Sequence, residues 1–281
     1  SPCRVCGSSL EDRVGELVFL KLGGSLITDK LRLETPRMTV IERVAGEIAQ
    51  AISARPDLSL VLGHGSGSYG HFAADRYKVH KGNLEDWRGY AETAAAAQRL
   101  NRLVTDALLA AGVPAVSVQP SASARCTAGE LVDLHLAPIT EMLDRGLVPL
   151  VYGDVALDSA QGCTIVSTDQ IFAFLARVLC PSRIVVAGEV AGVFSGDPHR
   201  DTIVRLVPAI TSRNYDQVEE MLSASFGVDV TGGMLSKVRS LYALAKDLPG
   251  LQVRIVTGRT PQLIERVLAS ADVEEGTLLR Y

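Results

Sequence analysis

The chain has 281 residues, of which 47% are hydrophobic and 21% charged, and its formal net charge at neutral pH is −4. This composition is that of a globular protein with a substantial core, and it excludes a disordered or fibrous chain. The negative charge offers no general attraction for nucleic acid, so the expected ligand is a small molecule.

No segment of the sequence signals a membrane or a secretory route. No apolar stretch reaches the length of a membrane span, and the N-terminus lacks the basic-then-apolar order of a signal peptide. Five cysteines, an odd number without framework spacing, are typical of a reducing compartment. We therefore expect a cytoplasmic protein.

Strands and helices alternate from residue 17 onward, after a polar segment 1–16 that we expect to form a flexible extension. Short apolar runs predict strands at 17–22, 58–63, 113–118, 147–152, 163–166, 183–188, 251–256 and 277–279. Helical periodicity predicts helices at 39–53, 85–111, 137–145, 168–179, 214–223, 233–247 and 261–270. This alternation, without an internal linker, predicts an α/β domain over 17–281 with one continuous, mainly parallel sheet between helical layers.

A glycine-rich loop follows the second predicted strand, in the stretch VLGHGSGSYGH at 61–71. Glycine lets several backbone N–H groups converge on one anion, and phosphate is the usual ligand of such loops. Residues Gly65 to Gly70 also match the dinucleotide fingerprint GxGxxG, which requires an acidic residue at the end of a strand about 20 residues later. Glu85 and Asp86 instead begin a predicted helix, which disfavours a dehydrogenase.

Three lysines accompany segments of small residues. Lys21 precedes the turn Gly23–Ser25 at the end of the first predicted strand, Lys30 follows that turn, and Lys237 ends the stretch TGGMLSK at 231–237. Phosphoryl transfer needs positive charge on the transferred group and on the leaving diphosphate, which lysines supply. No GxxxxGK[ST] motif occurs, so the pattern predicts a phosphotransferase outside the P-loop class.

Five segments in this order make the sequence resemble the amino acid kinase family. They are KLGGSLITDK (21–30), GSGSYGH (65–71), YGDV (152–155), VSTDQI (166–171) and TGGMLSK (231–237). The resemblance runs from about residue 17 to the C-terminus, and the histidine that ends the glycine loop places it with the isopentenyl phosphate kinase branch. It implies a three-layer αβα sandwich, with an acceptor-binding part over about 17–180 and a nucleotide-binding part over about 181–281, in a homodimer.

The resemblance also implies roles for individual residues. The implied catalytic residues are Lys21, Lys30, His71 and Asp154, with Lys30 stabilising the transition state and Asp154 orienting the lysines. The implied ATP-binding residues are Lys21, Gly23, Gly24, Ser25, Ser66, Gly188, Gly232 and Lys237. The implied acceptor-binding residues are Gly65, Gly70, His71 and Thr168. The chain departs from the family pattern at Thr168, where glycine is common, and at Gly188-Glu189, where Thr-Asp is common.

The implied reaction is the ATP-dependent phosphorylation of isopentenyl phosphate to isopentenyl diphosphate by direct in-line transfer, a step of isoprenoid biosynthesis. A phosphomonoester has its second pKa near 6 and is already a dianionic nucleophile at neutral pH, so it needs no strong base. It does need an anchor that offsets repulsion between two phosphates, and an imidazolium at His71 fits that role. The alanine-rich segment Ala91–Leu108 is the expected wall of an apolar pocket for the isopentenyl tail.

Mg²⁺ is expected with ATP, held mainly by phosphates and water, and no protein metal site is expected. The pair Cys3 and Cys6 lacks the second pair that a zinc ribbon requires. His64, His80, His135 and His199 lack ligand-like spacing and are expected to be structural or surface residues.

Three alternatives remain open from the sequence. One is a fosfomycin kinase, which shares the motif set including a histidine. Another is a uridylate or acylglutamate kinase of the same fold. The third belongs to a different class and is a nucleotide-binding sensor without catalysis.

Overall fold

The computed structural model describes residues 15–196, 204–225 and 232–281. The expected extension at 1–16 therefore lies outside the described residues, apart from its last two positions. Of these, Glu16 already belongs to the first strand. Within the described part of the chain, no helix is both long enough and apolar enough to span a bilayer.

Two sheets form the strand framework, a large one of eight strands and a small one of four. In chain order, the described strands are β1 (Glu16–Leu22), β2 (Leu58–His64), β3 (Ala115–Ser117), β4 (Arg125–Thr127), β5 (Glu130–Asp133), β6 (Val148–Tyr152), β7 (Asp154–Asp158), β8 (Gly162–Val166), β9 (Arg183–Gly188), β10 (Ala209–Ile210), β11 (Gln252–Thr257) and β12 (Thr277–Leu279). The order in the large sheet is β10-β12-β11-β9-β1-β2-β6-β3. Its neighbours are parallel except for β11 and β12.

Helices cover both faces of the large sheet. The described helices are α1 (Gly24–Ile27), α2 (Met38–Ala54), α3 (Gly67–Tyr77), α4 (Arg88–Ala110), α5 (Ala137–Asp144), α6 (Thr168–Leu179), α7 (Tyr215–Ser225), α8 (Gly232–Asp247) and α9 (Leu263–Ala269). One apolar core joins the sheet to α2, α4 and α9, and another joins it to α5, α6, α7 and α8. This confirms the predicted three-layer αβα sandwich.

The central strands divide their residues between these two cores. In β1, Phe19 faces one core, whereas its neighbours Val18 and Leu20 face the other. In β2, Val61 lies on the side of Phe19, and Leu60 lies on the opposite side. Because side chains alternate along a strand, a continuous apolar run is the pattern of a parallel strand that is buried on both faces.

The prediction of one continuous sheet was wrong. Strand β8, predicted as part of the main sheet, pairs antiparallel with β7 in the small sheet, whose order is β5-β4-β7-β8. Strands β4, β5 and β7 were not predicted, because they are short and only partly apolar. Helix α3 was also missed, since GSYGHFAADRY has too few apolar residues for a helical pattern.

The ends of neighbouring strands are joined by backbone hydrogen bonds at one edge of the large sheet. The N–H of Gly23, after β1, donates to Ala187 O of β9 at 2.7 Å. The N–H of Gly65, after β2, donates to Leu22 O at 3.0 Å. In open parallel sheets, ligands bind at this carboxyl edge, so the predicted phosphate loops lie where a ligand is expected.

The two glycine loops at this edge touch backbone to backbone. A Cβ atom on Gly24 would lie 2.6 Å from the Gly67 nitrogen, and one on Gly65 would lie 2.8 Å from the Gly24 nitrogen. Gly67 also has φ of +50°, in the left-handed region that favours glycine. The glycines of VLGHGSGSYGH therefore permit close contact with the loop that contains Gly24.

A substitution at Gly24 tests this contact. Gly24→Ala is expected to lower the free energy of unfolding by about 1–3 kcal/mol, the usual cost of overpacking, because the new Cβ meets rigid backbone. Gly46→Ala on α2 is the matched control, since a Cβ there meets nothing within 4 Å. The control should be unchanged or more stable by up to about 1 kcal/mol. Urea denaturation followed by circular dichroism measures both variants, and equal stability of the two would contradict the proposed packing.

Candidate active site

Lys21 forms an ion pair with Asp169 at the carboxyl edge of the large sheet. Lys21 Nζ lies 2.5 Å from Asp169 Oδ2, and Lys21 is only 8% exposed. Burial and the charges of Lys21 and Lys30 hold the pKa of Lys237 below its ordinary value, and the negative charge of Asp169 opposes this shift. Lys21 and Lys237 therefore lie near the carboxylate of Asp169, and Lys30 is close enough to Lys237 for their charges to interact.

Asp169 lies in the first turn of α6, which a capping box starts. Ser167 Oγ accepts a hydrogen bond from the Gln170 N–H at 3.1 Å, and the Ser167 N–H donates to the Gln170 side chain at 2.9 Å. This reciprocal pair fixes where the helix begins, and a carboxylate in the first turn is favoured by the helix dipole. The S-x-x-Q spacing at Ser167–Gln170 is a sequence signal that could have placed Asp169 at a helix start, but it was not used.

The predicted role of Asp154 as the residue that orients the lysines is not supported by its contacts. Asp154 Oδ2 accepts from the Ser121 N–H at 3.0 Å, and Oδ1 accepts from the Val155 N–H at 2.8 Å. Burial raises the pKa of this carboxyl, and the hydrogen bonds partly offset that rise. Both oxygens are occupied by backbone groups, so the geometry assigns the orienting position to Asp169 instead.

Thr168, a predicted acceptor-binding residue, has its hydroxyl turned away from the cleft. Thr168 Oγ1 donates to His64 O at 2.6 Å, and the side chain is buried. Its methyl group fills the space beside Gly63, where a Cβ would lie 2.6 Å from it. The departure from glycine is thus accommodated by packing of the Thr168 side chain against β2.

His64 is buried and contacts the backbone at the start of the glycine loop. Its Nδ1 lies 3.0 Å from Gly65 O, its Nε2 lies 3.1 Å from Asn101 Nδ2, and its ring stacks on Tyr152. Complete burial lowers the pKa of His64 to about 4, so the ring is neutral. A neutral ring protonated on Nδ1 satisfies both contacts, because it donates to Gly65 and accepts from Asn101. This is the structural role expected for His64.

A cavity of about 250 Å³ opens beside the glycine loop. It is lined by Ser66, Gly70, His71, Ala74, Asp75, His80, Thr93, Ala97, Gly153, Asp154 and Ile165. Thr93 and Ala97 come from α4, within the segment predicted to form the acceptor pocket wall. The predicted histidine, Ser66 and Gly70 therefore share one cavity with small and apolar side chains, and Asp154 and His80 also line it.

His71 is exposed at the mouth of this cavity, near Lys30. Desolvation and the Lys30 charge lower the pKa of His71, and Asp75 opposes this effect. The neutral imidazole is therefore favoured while no anion is bound. A dianionic ligand would reverse the balance of charge and favour the imidazolium.

The predicted nucleotide-binding positions lie along the same edge. Gly188 ends β9 beside open space, since a Cβ there would meet nothing within 4 Å. Gly232 begins α8, the helix that carries Lys237, and Thr231 of the same motif lies outside the described residues. Glu189, noted as a departure from the family pattern, forms ion pairs with Arg37 and Arg259 that were not predicted.

Comparisons with known proteins show which proteins the chain resembles. The sequence profile described as the amino acid kinase family matches residues 16–257. An isopentenyl phosphate kinase from Methanothermobacter thermautotrophicus is 39% identical over 267 residues, which cover 92% of this chain and 97% of that protein. An X-ray structure of an isopentenyl phosphate kinase aligns with a TM-score of 0.78 at 34% identity, covering 94% of this chain and 100% of that chain. A substrate complex of an isopentenyl phosphate kinase aligns with a TM-score of 0.72 at 26% identity and the same coverage.

The contrast between the two aspartates can be tested through the titration of Lys237. Asp169→Asn removes the negative charge that raises the pKa of Lys237 and leaves the two neighbouring lysines, so this pKa should fall further. Asp154→Asn should leave it unchanged. NMR titration of ¹³C-dimethylated lysines measures the effect, with Lys237→Arg to assign the resonance. A shift in the Asp154 variant alone would restore the original assignment.

Proposed function

The chain belongs to the amino acid kinase family, and from this premise we infer that it transfers the γ-phosphoryl group of ATP to isopentenyl phosphate, giving ADP and isopentenyl diphosphate. The observation that carries this proposal is the meeting of two features at one sheet edge. One is the cluster of Lys21, Lys237 and Asp169, with Lys30 nearby. The other is the cavity that begins at His71 and continues between small and apolar side chains.

The cavity favours a short acceptor with a phosphate at one end. Its volume of about 250 Å³ is below the usual range of about 300–1,000 Å³ for ligand pockets, which fits a five-carbon branched tail. Ala74 and Ala97 leave room beside the glycine loop, and Ile165 adds apolar surface. Gly65, Gly70 and His71 hold the acceptor phosphate in this proposal.

The lysines provide the charge that in-line transfer requires. Lys21 and the turn Gly23–Ser25 contact the ATP phosphates, Lys237 reaches them from the C-terminal part, and Lys30 stabilises charge in the transition state. Asp169 holds Lys21 in place through their ion pair, and its negative charge favours the ammonium form of Lys237. The acceptor dianion attacks directly, so no base and no phosphoenzyme are needed.

Mg²⁺ accompanies ATP in this proposal. In the described ranges, no group of three or more His, Cys, Asp or Glu side chains is arranged to hold a metal ion. The proposed cation is held mainly by ATP phosphates and water. When bound, Mg²⁺ neutralises charge on the β- and γ-phosphates. We also propose a homodimer, from the family resemblance, and a cytoplasmic location, from the cysteine pattern.

A coupled assay of ADP release tests the acceptor. With Mg-ATP, kcat/KM for isopentenyl phosphate should exceed that for fosfomycin by at least about tenfold, or 1.4 kcal/mol, because the cavity accommodates a branched hydrocarbon. A preference for fosfomycin would overturn the substrate but keep the phosphate chemistry. ATP binding without turnover of either acceptor would instead support a nucleotide sensor.

His71 provides a second test. His71→Ala should lower kcat/KM for isopentenyl phosphate by about 10–150-fold, the value of a charged hydrogen bond of about 1.5–3 kcal/mol, while ATP binding is retained. Because the pKa of His71 is lowered in the empty site, binding of the dianion should be coupled to proton uptake. His71→Gln is the matched control, since it keeps a donor but cannot be charged. Calorimetry in buffers of different ionisation enthalpy measures the uptake, and equal uptake by wild type and His71→Gln would exclude the imidazolium anchor.

A further inference from the structure

Glu189 and its two arginine partners join three loops at the nucleotide edge. We name Arg37, Glu189 and Arg259 the Glu189 cluster. Arg37 Nη1 lies 2.5 Å from Glu189 Oε1, and Arg259 Nη2 contacts the same oxygen. Arg37 precedes α2, Glu189 follows β9, and Arg259 follows β11. These residues come from distant parts of the sequence, so the cluster forms only in the folded chain.

The cluster holds the turn that is proposed to bind ATP phosphates. Arg37 Nη1 also donates to Ser25 O at 2.9 Å. On its other side, the same turn is fixed by the bond from the Gly23 N–H to Ala187 O at 2.7 Å. Gly23 is therefore attached to the backbone of β9, and Ser25, which lies in the first turn of α1, also accepts a hydrogen bond from the Arg37 side chain that pairs with Glu189.

Backbone contacts fix Glu189 itself between β9 and β11. Thr257 Oγ1 donates to Glu189 O at 3.1 Å, and the Gly258 N–H donates to Gly188 O at 2.8 Å. Burial alone would raise the pKa of Glu189, but hydrogen bonds and charges from Arg37 and Arg259 hold it below its ordinary value. The carboxylate is thus ionised at neutral pH and stands at a fixed point beside the turn.

We propose that the Glu189 cluster positions the Gly23–Ser25 turn for the ATP phosphates, so that Glu189 and Arg37 act as positioning residues for nucleotide binding. The proposal rests on the proposed kinase function. Without the carboxylate, Arg37 and Arg259 would repel each other, and Arg37 would lose the partner that directs it toward Ser25 O. Since the Glu189 and Arg37 side chains are about one-third exposed, their ion pair contributes little to global stability. The expected consequence is weaker ATP binding in a stable protein.

Glu189→Gln, which keeps the side-chain shape and removes the charge, tests the proposal. The KM for ATP should rise on the order of tenfold, below the roughly 100-fold that a 1 Å misplacement can cost, because the Gly23 anchor remains. The kcat and the KM for isopentenyl phosphate should change by less than about twofold, and the Tm by less than about 2–4 °C. Calorimetric titration with Mg-ADP should show the same loss of affinity, and this readout does not depend on the identity of the acceptor.

Three further variants complete the experiment. Glu141→Gln is the matched control. Glu141 lies in α5 and pairs at 2.7 Å with Arg145, which follows this helix. The pair lies near the amino end of β6, away from the site. It should leave nucleotide affinity unchanged. Arg37→Met should reproduce the effect of Glu189→Gln, and the double variant should be no worse than either single variant, since one contact chain is removed in each case.

Clear outcomes would overturn the proposal. Unchanged affinity for Mg-ADP in both Glu189→Gln and Arg37→Met would show that the turn does not need the cluster. A fall in kcat with normal nucleotide affinity would assign the cluster to the chemical step instead. Strictly additive losses in the double variant would show that the two residues act separately. Absence of turnover with isopentenyl phosphate in the wild-type chain would refute the proposed acceptor while leaving the Mg-ADP comparison valid.

Discussion

The contact between two glycine loops is the constraint on which the rest of the site depends. Gly24 and Gly65 approach so closely that neither position has space for a Cβ atom. This contact brings the end of β1 against the end of β2, so that Lys21 and His71 belong to one site. A phosphate acceptor and a phosphate donor must also lie close together for in-line transfer. The same absence of side chains therefore serves folding and the proposed chemistry.

Lysines that lie close together repel one another, and the carboxylate of Asp169 offsets part of this repulsion. Lys21 is buried, and desolvation together with the charges of Lys21 and Lys30 lowers the pKa of Lys237. Asp169 is placed among them by the first turn of α6, a rigid element with a well-defined start. On the other side of the turn, Glu189 holds Arg37 and Arg259 in a similar way. Both carboxylates fix cations whose positions matter for phosphate.

The small sheet and α4 explain how a phosphate site acquires an apolar pocket. Strands β7 and β8 pack with α3 and α4 around a separate small core that includes Ala94 and Val155. The cavity that His71 lines lies between this core and the glycine loop. Because α4 presents alanine and threonine there, the space is not filled by its own side chains. The acceptor pocket is thus a product of packing between elements that are far apart in the chain.

The sequence by itself determined the three-layer fold, the glycine loops at the strand ends and the segment of α4 that lines the cavity. It could do so because buried parallel strands are continuous apolar runs, and because glycine and lysine at strand ends are local signals. Only the tertiary structure decided that Asp169 pairs with Lys21 whereas Asp154 accepts from backbone N–H groups, and that Glu189 joins two arginines. These contacts depend on which side chains meet across elements that are distant in the sequence. The strands β4 and β5 were missed for another reason, because such short strands carry too little local pattern.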